Sequence, residues 1–320
     1  MRQASLDLDR LHRLVHQAVA VRTTPAVFQI TGSGALTCLQ GLLTNDLAAP
    51  GEQSLVYGAL LTPKGAIVVD YWVLRLPDRF LLVAEPPGHT PSLELFRRSL
   101  PPRLAIVEDQ TGRLDAVWLY GRDVAAVLAH AGFRLPDAGK VLLQDGLLLA
   151  RPQSQAPFRA LLVGPSGSIQ ALLPRLTAAG FSQGDADDRD AAGILGGWPE
   201  LGAEIEERTL VQEVRYDEIG GVSYTKGCYT GQETVARLHF RGHPNRELKG
   251  LAWHGPARPE GTPVTDPDGK EIGAVSSLLT LPGRTVGLGL LRRSVEAGSG
   301  VLAGGAPATV VSLPFEPTAW

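Results

Sequence analysis

Cysteine is nearly absent: Cys38 and Cys228 are the whole inventory of 320 residues. Two thiols so far apart make no disulfide framework, which points to a reducing, cytoplasmic setting. They also leave too few ligands for a structural zinc or for an iron–sulfur cluster held by one chain. Charge of one sign is scarce as well. A formal net charge of −3 gives no electrostatic footprint for nucleic acid or an anionic membrane as a partner. No apolar run approaches the ~20 residues of a membrane span, and the stretch Met1 to Asp9 lacks the apolar core of a signal peptide. Glycine (37) and proline (24) are plentiful, which implies many turns and β-rich architecture with short connections. At 44% hydrophobic and 20% charged, the composition is that of a soluble globular chain, long enough for two or three domains.

Periodicity divides the chain. Leu8, Leu11, Val15, Ala18 and Val19 recur at helical spacing. A strand follows at Val27 to Ile30, then a helix over 34–43 with Ser33 as its cap. Leu55 to Leu61, Ala66 to Leu76 and Phe80 to Glu85 read as a strand meander, its first turn at Thr62-Pro63-Lys64-Gly65. Residues 91–100 read as a helix, Leu104 to Val107 and Ala116 to Tyr120 as strands, and Asp123 to Ala131 as a helix. Val141 to Ala150 is a hairpin turning at Asp145-Gly146. Arg159 to Val163 is a strand, with a helix after it. The polar stretch Gln183 to Asp190 is either a solvated loop or a helix start. This rhythm predicts α+β subdomains with antiparallel sheets rather than a doubly wound parallel sheet. From His243 onward, glycine and proline turns alternate with short β-type runs, including a hairpin signal at Asp266 to Lys270. The expected organisation is an α+β region of two interleaved subdomains over 1–242 and a small β-barrel over 243–320.

The most informative run is Thr225-Lys226-Gly227-Cys228-Tyr229-Thr230-Gly231-Gln232-Glu233. Lys226 adds positive charge near the thiol, and the following helix brings its N-terminus close; both favour the thiolate. The alternative is a glycine-rich turn whose cysteine packs as a small apolar residue. A Cys–His pair with His239 or His243 is a minor option, since cysteine-hydrolase signatures are absent. The remaining histidines, His12, His16, His89, His130 and His254, form no metal set; His12 and His16 sit at i, i+4 without a third ligand. The short glycine runs at 32–34 and 193–197 match no phosphate-binding fingerprint. Asp70 lies within the apolar strand Ile67-Val-Val-Asp-Tyr-Trp. It either faces outward or contacts a ligand, because burying an unpaired acid costs several kcal/mol. Arg237 and Arg246 flank the expected boundary, placed to grip a carboxylate tail or to pair with acids across the interface.

The run Lys226-Gly-Cys228-Tyr-Thr-Gly-Gln-Glu233-Thr-Val-Ala-Arg237 resembles the signature of the YgfZ-type folate-binding proteins. These are relatives of the glycine-cleavage T-protein, an aminomethyltransferase, and act in iron–sulfur cluster assembly or repair. Weaker matches follow in the family's order: Leu39-Gln-Gly-Leu-Leu-Thr44-Asn45-Asp46, Leu61-Thr-Pro-Lys-Gly65, Pro199-Glu-Leu-Gly202-Ala-Glu204, and the tail through Gly269 to Ser276 and Ser312 to Glu316. The resemblance implies a three-lobed ring of two ferredoxin-like parts and a barrel, with tetrahydrofolate in a central channel. It makes Asp70, Thr44, Asn45, Tyr229, Arg237 and Arg246 the expected folate contacts, and Cys228, Lys226 and Asp70 the expected chemical groups. The chain departs from the family pattern twice. Val69 precedes Asp70 where the T-protein has a second acid. Arg189-Asp-Ala191-Ala-Gly193 stands where the family has R-x-E-A-G, so Ala191 replaces a glutamate that contacts the pterin, with Asp190 as the neighbouring substitute.

The resemblance implies, first, a folate-linked accessory protein for iron–sulfur cluster assembly or repair, with Cys228 as its thiol and iron–sulfur enzymes or cluster carriers as partners. A tetrahydrofolate-dependent aminomethyltransferase using Asp70 is the enzymatic alternative. A non-catalytic binding module that has lost folate is the third.

Overall fold

Ser54–Leu61 and Ile67–Arg75 pair antiparallel across the turn at 62–65, with Tyr57 opposite Trp72 and Ala59 opposite Asp70. The computed structural model of the protein, which describes residues 1–153, 156–253 and 261–315, places them at one edge of a five-stranded sheet. His254 and Glu316 fall outside the described residues. Phe80–Ala84, Ala26–Thr31 and Ile106–Asp109 complete that sheet. Every residue of Ser54–Leu61 is buried, because the strand serves two cores at once. Leu55, Tyr57, Ala59 and Leu61 face the centre of the molecule, while Val56 and Leu60 face a second cluster with helices Ala35–Gln40 and His89–Ser99. Alternate side chains of a strand point to opposite faces, so a strand covered on both sides reads as a continuous apolar run.

The same rule resolves Asp70. Val69, Tyr71 and Val73 belong to the helix-side cluster, and Leu74 with the partly buried Trp72 to the central one. Asp70 alternates with the first set, so it faces the centre.

A second, six-stranded sheet runs in the order Ser182–Gln183, Val19–Thr23, Leu114–Tyr120, Ala160–Pro165, Leu147–Ala150, Val141–Gln144. It packs Trp118, Tyr120 and Leu161 toward the centre and Val117, Leu119 and Leu162 outward, where helices Val124–His130 and Ser166–Ala179 contribute Leu128, Leu172 and Leu176. The hairpin turns at Asp145-Gly146 with φ of 52° and 75°, the paired positive values of a type I′ turn. Arg246–Trp253, Pro263–Thr265, Glu271–Leu281, Arg284–Arg292, Gly300–Ala303 and Ala306–Val311 close into an antiparallel barrel, and the N-terminal strand Arg2–Ser5 adds in parallel to Glu271–Leu281. The class is α+β, as the rhythm of the sequence predicts.

Local details differ from expectation. The first helix is Leu8–His16, and Val19 already belongs to a strand; Leu8 is exposed while Leu11 and Leu14 carry the packing. The next helix is capped at Gly34 with no side-chain hydrogen bond, so Ser33 caps nothing. The acidic stretch 183–190 is a helix start: Asp185 and Asp188 form a reciprocal capping box on Ala186–Gly196, and Arg10 bridges both carboxylates. Among the described residues, no helix is long and apolar enough to cross a membrane.

Candidate functional site

The three sheets meet around a small cavity of about 60 Å³. The first sheet supplies Asp70 and Glu85, the second Trp118 and Tyr120, helix Ala186–Gly196 supplies Arg189, and Arg2 and Glu200 close it from the barrel side. Asp70 is only 8% exposed. The Tyr57 hydroxyl donates to its Oδ2 at 2.6 Å, and the Tyr216 hydroxyl lies 3.1 Å from that of Tyr57. Since Tyr57 spends its one proton on Asp70, Tyr216 is the donor in the second bond. Oδ1 of Asp70 is buried with no hydrogen-bond partner among the described residues. Burial raises the Asp70 carboxyl to about 6, although the Tyr57 hydrogen bond favours the charged form. Burial, then the charge of Asp70, pushes Tyr57 well above the usual phenol range, so it remains a neutral donor.

Around Asp70 lies a network of acids and guanidinium groups. Arg189 pairs with Glu85 and lies 3.8 Å from Glu200. Arg2 donates to Glu200 at 2.8 Å and to Glu204 at 3.4 Å. Glu204, fully buried, also accepts from Ser276 at 2.8 Å, from Ser277, and from the backbone N–H of Glu200 at 3.1 Å. Burial raises Glu85 to about 7 against the opposing pull of Arg189, and burial together with Glu200 raises Asp190 to about 6. Oε2 of Glu85 and Oε1 of Glu200 accept no hydrogen bond among the described residues. With Oδ1 of Asp70 they form a set of open acceptors beside guanidinium donors, which suits the edge of a heterocycle carrying several N–H donors and a carbonyl. The cavity itself holds about two waters, too little for a bicyclic ring.

A larger cleft of about 580 Å³, lined in part by Asn45, Asp46, Ser223 and Tyr224, lies beside it. Tyr57, Trp72 and Trp198 line both spaces and stand between them.

The cysteine motif is elsewhere in this geometry. Cys228 is exposed, and helix Gln232–Arg241 starts four residues later, after Gly231 in the left-handed region (φ 82°). Lys226 points away from the surface: its Nζ donates to the carbonyls of Leu43 and Asn45, each at 2.8 Å, and sits 5.2 Å from the Tyr229 ring centre. Burial lowers the Lys226 pKa to about 8, with Asp46 opposing. Its ammonium is therefore engaged by the 43–45 loop rather than offered to the thiol, contrary to the activating role expected from spacing. Thr44 is buried, its hydroxyl bonded to the Gly221 carbonyl at 2.7 Å and the Ala59 N–H at 2.9 Å. Asn45 donates to the carbonyls of Tyr57 and Gly220. Thr230 N–H bonds the Gly41 carbonyl at 3.0 Å, and a Cβ at Gly231 would stand 2.6 Å from the Thr62 carbonyl oxygen. The three sequence runs at 39–46, 61–65 and 225–237 thus converge into one scaffold under Cys228.

Of the expected site residues, only Asp70 lines the inner cavity, and Asn45 lines the outer cleft. Thr44, Lys226 and Tyr229 are buried in the scaffold. Arg237 is exposed on its helix, and Arg246 takes the pairing alternative, bonded to Glu213 at 2.8 and 3.3 Å. Ala191 packs in the apolar core and does not line the cavity; Glu85 and Glu200 do. His239 stacks on Tyr224 at 3.6 Å and lies 3.6 Å from Asp217, while His243 contacts the Pro244 carbonyl, so neither pairs with Cys228. Among the described residues, no three His, Cys, Asp or Glu side chains come together as a metal site. Sequence reasoning missed Tyr57, Glu85, Trp198 and Glu200. The one signal for Glu200 was its position in the Pro199 to Glu204 run.

Residues 6–134 match the family described as the GCVT N-terminal domain. The fold is that of aminomethyltransferase T of the glycine cleavage system from Bartonella henselae, with a TM-score of 0.82 over 96% of this chain and 88% of that one, at 22% identity. The chain is 31% identical over 239 residues to the tRNA-modifying protein YgfZ of Enterobacter sp. (strain 638), covering 73% of this chain and 72% of that one. It is 28% identical over 241 residues to the protein of the same name from Escherichia coli (strain K12), with the same coverage. By its sequence relatives, and in keeping with its fold, the chain belongs to the YgfZ family.

Proposed function

We propose that this protein binds tetrahydrofolate in its central cavity and serves in the cytoplasm as an accessory factor for iron–sulfur cluster assembly or repair, with Cys228 as its working thiol. The observation that carries the folate reading is Oδ1 of Asp70, an acceptor buried without a partner beside two further carboxylates with open positions. An unsatisfied buried acceptor is costly unless a ligand fills it. A reduced pterin presents amino and ring N–H donors with a carbonyl between them, and the donor set suits it although Ala191 cannot contribute. Asp70 would accept a ring N–H, Glu85 and Glu200 the amino edge, and Arg189 and Arg2 would hold those acids in place. When bound, the folate would supply a one-carbon carrier or a redox-active ring.

Calorimetric titration with 5-formyltetrahydrofolate tests this reading. Wild type should bind at micromolar concentration, and Asp70→Asn should bind roughly tenfold or more weakly, the loss of one charge-assisted hydrogen bond. No heat of binding with wild type would overturn it.

The thiol role is supported by the exposure of Cys228 on an otherwise anchored loop. With no metal set in reach among the described residues, such a thiol acts on a cluster or an oxidised group carried by a partner. A Cys228→Ser protein should fail to restore iron–sulfur enzyme activity in a strain lacking this gene; full restoration would remove the thiol from the mechanism. The relatives' name ties them to tRNA modification. A net charge of −3 argues for support of an enzyme that acts on tRNA rather than a direct grip on phosphates.

One observation favours a transferase reading: the Asp70 carboxyl, raised to about 6, is poised to exchange a proton near neutral pH. Formation of methylenetetrahydrofolate from an aminomethylated lipoyl carrier, abolished by Asp70→Asn, would make it the better account.

A further inference from the structure

We propose that Trp72 and Trp198 are a closed aromatic clamp, and that the planar head of the ligand enters the inner cavity by displacing the Trp198 indole and lying against Trp72. The inference rests on the folate reading for its occupant and adds how the site admits that occupant. The inner cavity offers about 60 Å³, so something in its wall must move.

Three observations identify the mover. Trp72 and Trp198 are stacked on each other, ring centres 5.5 Å apart and planes 15° from parallel. An inserted planar ring needs about 3.5 Å more between them, one layer of van der Waals contact. Second, the wall they form with Tyr57 divides the inner cavity from the 580 Å³ cleft, so an indole swung outward has space to occupy. Third, neither indole N–H donates to a described residue and neither is a buried unsatisfied atom, so both reach solvent, whereas Trp118 donates to Thr23 at 2.8 Å and Trp253 to the Ala303 carbonyl at 3.0 Å. A buried tryptophan N–H ordinarily finds a partner in the protein; one that reaches solvent is not pinned by its polar end.

The backbone decides which of the two turns. Trp72 is mid-strand, paired with Tyr57 on one side and Val83 on the other, and its ring meets Phe158 edge-on at 4.8 Å. Trp198 follows the helix end, where its N–H bonds the Gly193 carbonyl and that of Gly197 bonds Ile194, a Schellman closure. Arg215 holds the Gly197 carbonyl at 2.8 Å and Arg2 the Trp198 carbonyl at 3.3 Å. With its main chain fixed at both ends, Trp198 opens by side-chain rotation alone. The closed rotamer fills the stacking position and keeps Asp70 buried; the open one exposes it.

Stopped-flow tryptophan fluorescence with 5-formyltetrahydrofolate tests the clamp. In wild type the observed rate should level off with ligand concentration, limited by opening, and the signal should quench as the ring stacks. Trp198→Ala should bind with an association rate at least about tenfold faster, the gain expected when a minor open state becomes the only state, and without the plateau. Trp198→Phe, which keeps the wall with a smaller ring, covers the case in which the alanine protein fails to fold, and should fall between the two. A wild-type rate linear in ligand, with Trp198→Phe or Trp198→Ala associating at the same speed, would overturn the clamp and leave folate binding intact. Absence of binding to wild type and variants alike would overturn both.

Discussion

The central cavity and the Cys228 loop use polar residues in opposite ways. In the loop, nearly every polar group is turned inward onto backbone: Lys226 on the carbonyls of Leu43 and Asn45, Thr44 on that of Gly221, Asn45 on that of Gly220. What remains exposed over 225–230 is Thr225, Gly227 and Cys228. In the cavity, the lining is drawn from all three sheets, from Arg2 to Glu200 along the chain, and Asp70 keeps an acceptor position open at a cost in stability. One region anchors its polar groups beneath an exposed cysteine; the other holds an unsatisfied acceptor inside. A stretch of contiguous motif therefore marks a scaffold here, while the groups with unfilled chemistry are dispersed.

The largest effect should come from the foundation of the cavity. Glu204→Ala removes one of the two carboxylates paired with buried Arg2 and the acceptor of Ser276, Ser277 and the Glu200 N–H. Arg2 keeps Glu200 at 2.8 Å, but several buried donors lose their acceptor, so urea denaturation should show a loss of about 3–5 kcal/mol. A loss under about 1 kcal/mol would mean the network is not the support it looks to be.

Asp70 should behave in the reverse sense. Its carboxyl is raised from 3.8 to about 6, so between those values the folded chain binds more protons than the unfolded one. Stability from this group is fully present below pH ~4 and is lost as pH rises through about 6. Asp70→Asn should therefore stabilise the protein by about 2–3 kcal/mol at pH 8 and have little effect at pH 4, while weakening ligand binding. Equal unfolding free energies for the two proteins at pH 8 would break the claim that burying the Asp70 carboxylate costs stability.

Much of the fold was legible because several buried strands are apolar runs bounded by a turn, as at 55–61 and 147–150. The facing of Asp70 was not. Val69 and Tyr71 pack on helices while Trp72 and Leu74 pack on the centre, and a strand apolar on both faces carries no alternation to read. Glu85 was hidden for a related reason: it directly follows the buried strand Phe80–Ala84, and only the distant Arg189 shows that it turns inward. Spacing misled for Lys226 and Cys228. Two residues apart in an irregular loop, Lys226 is buried and Cys228 exposed, and Ala191 likewise lies on the core side of a helix whose Arg189 and Gly193 line the cavity.

The smallest effects should fall within the motif itself and separate its two kinds of residue. Lys226→Met leaves the Leu43 and Asn45 carbonyls without their donor, and should cost about 1–3 kcal/mol of stability. Cys228→Ser alters an exposed atom with no partner to lose, so its unfolding free energy and its affinity for 5-formyltetrahydrofolate should match wild type within about 0.5 kcal/mol. Its defect should appear only where a thiol is required, in the restoration of iron–sulfur enzyme activity. A Cys228→Ser protein that lost more stability than Lys226→Met would place the sulfur inside the scaffold and collapse the contrast between an anchored loop and its exposed cysteine.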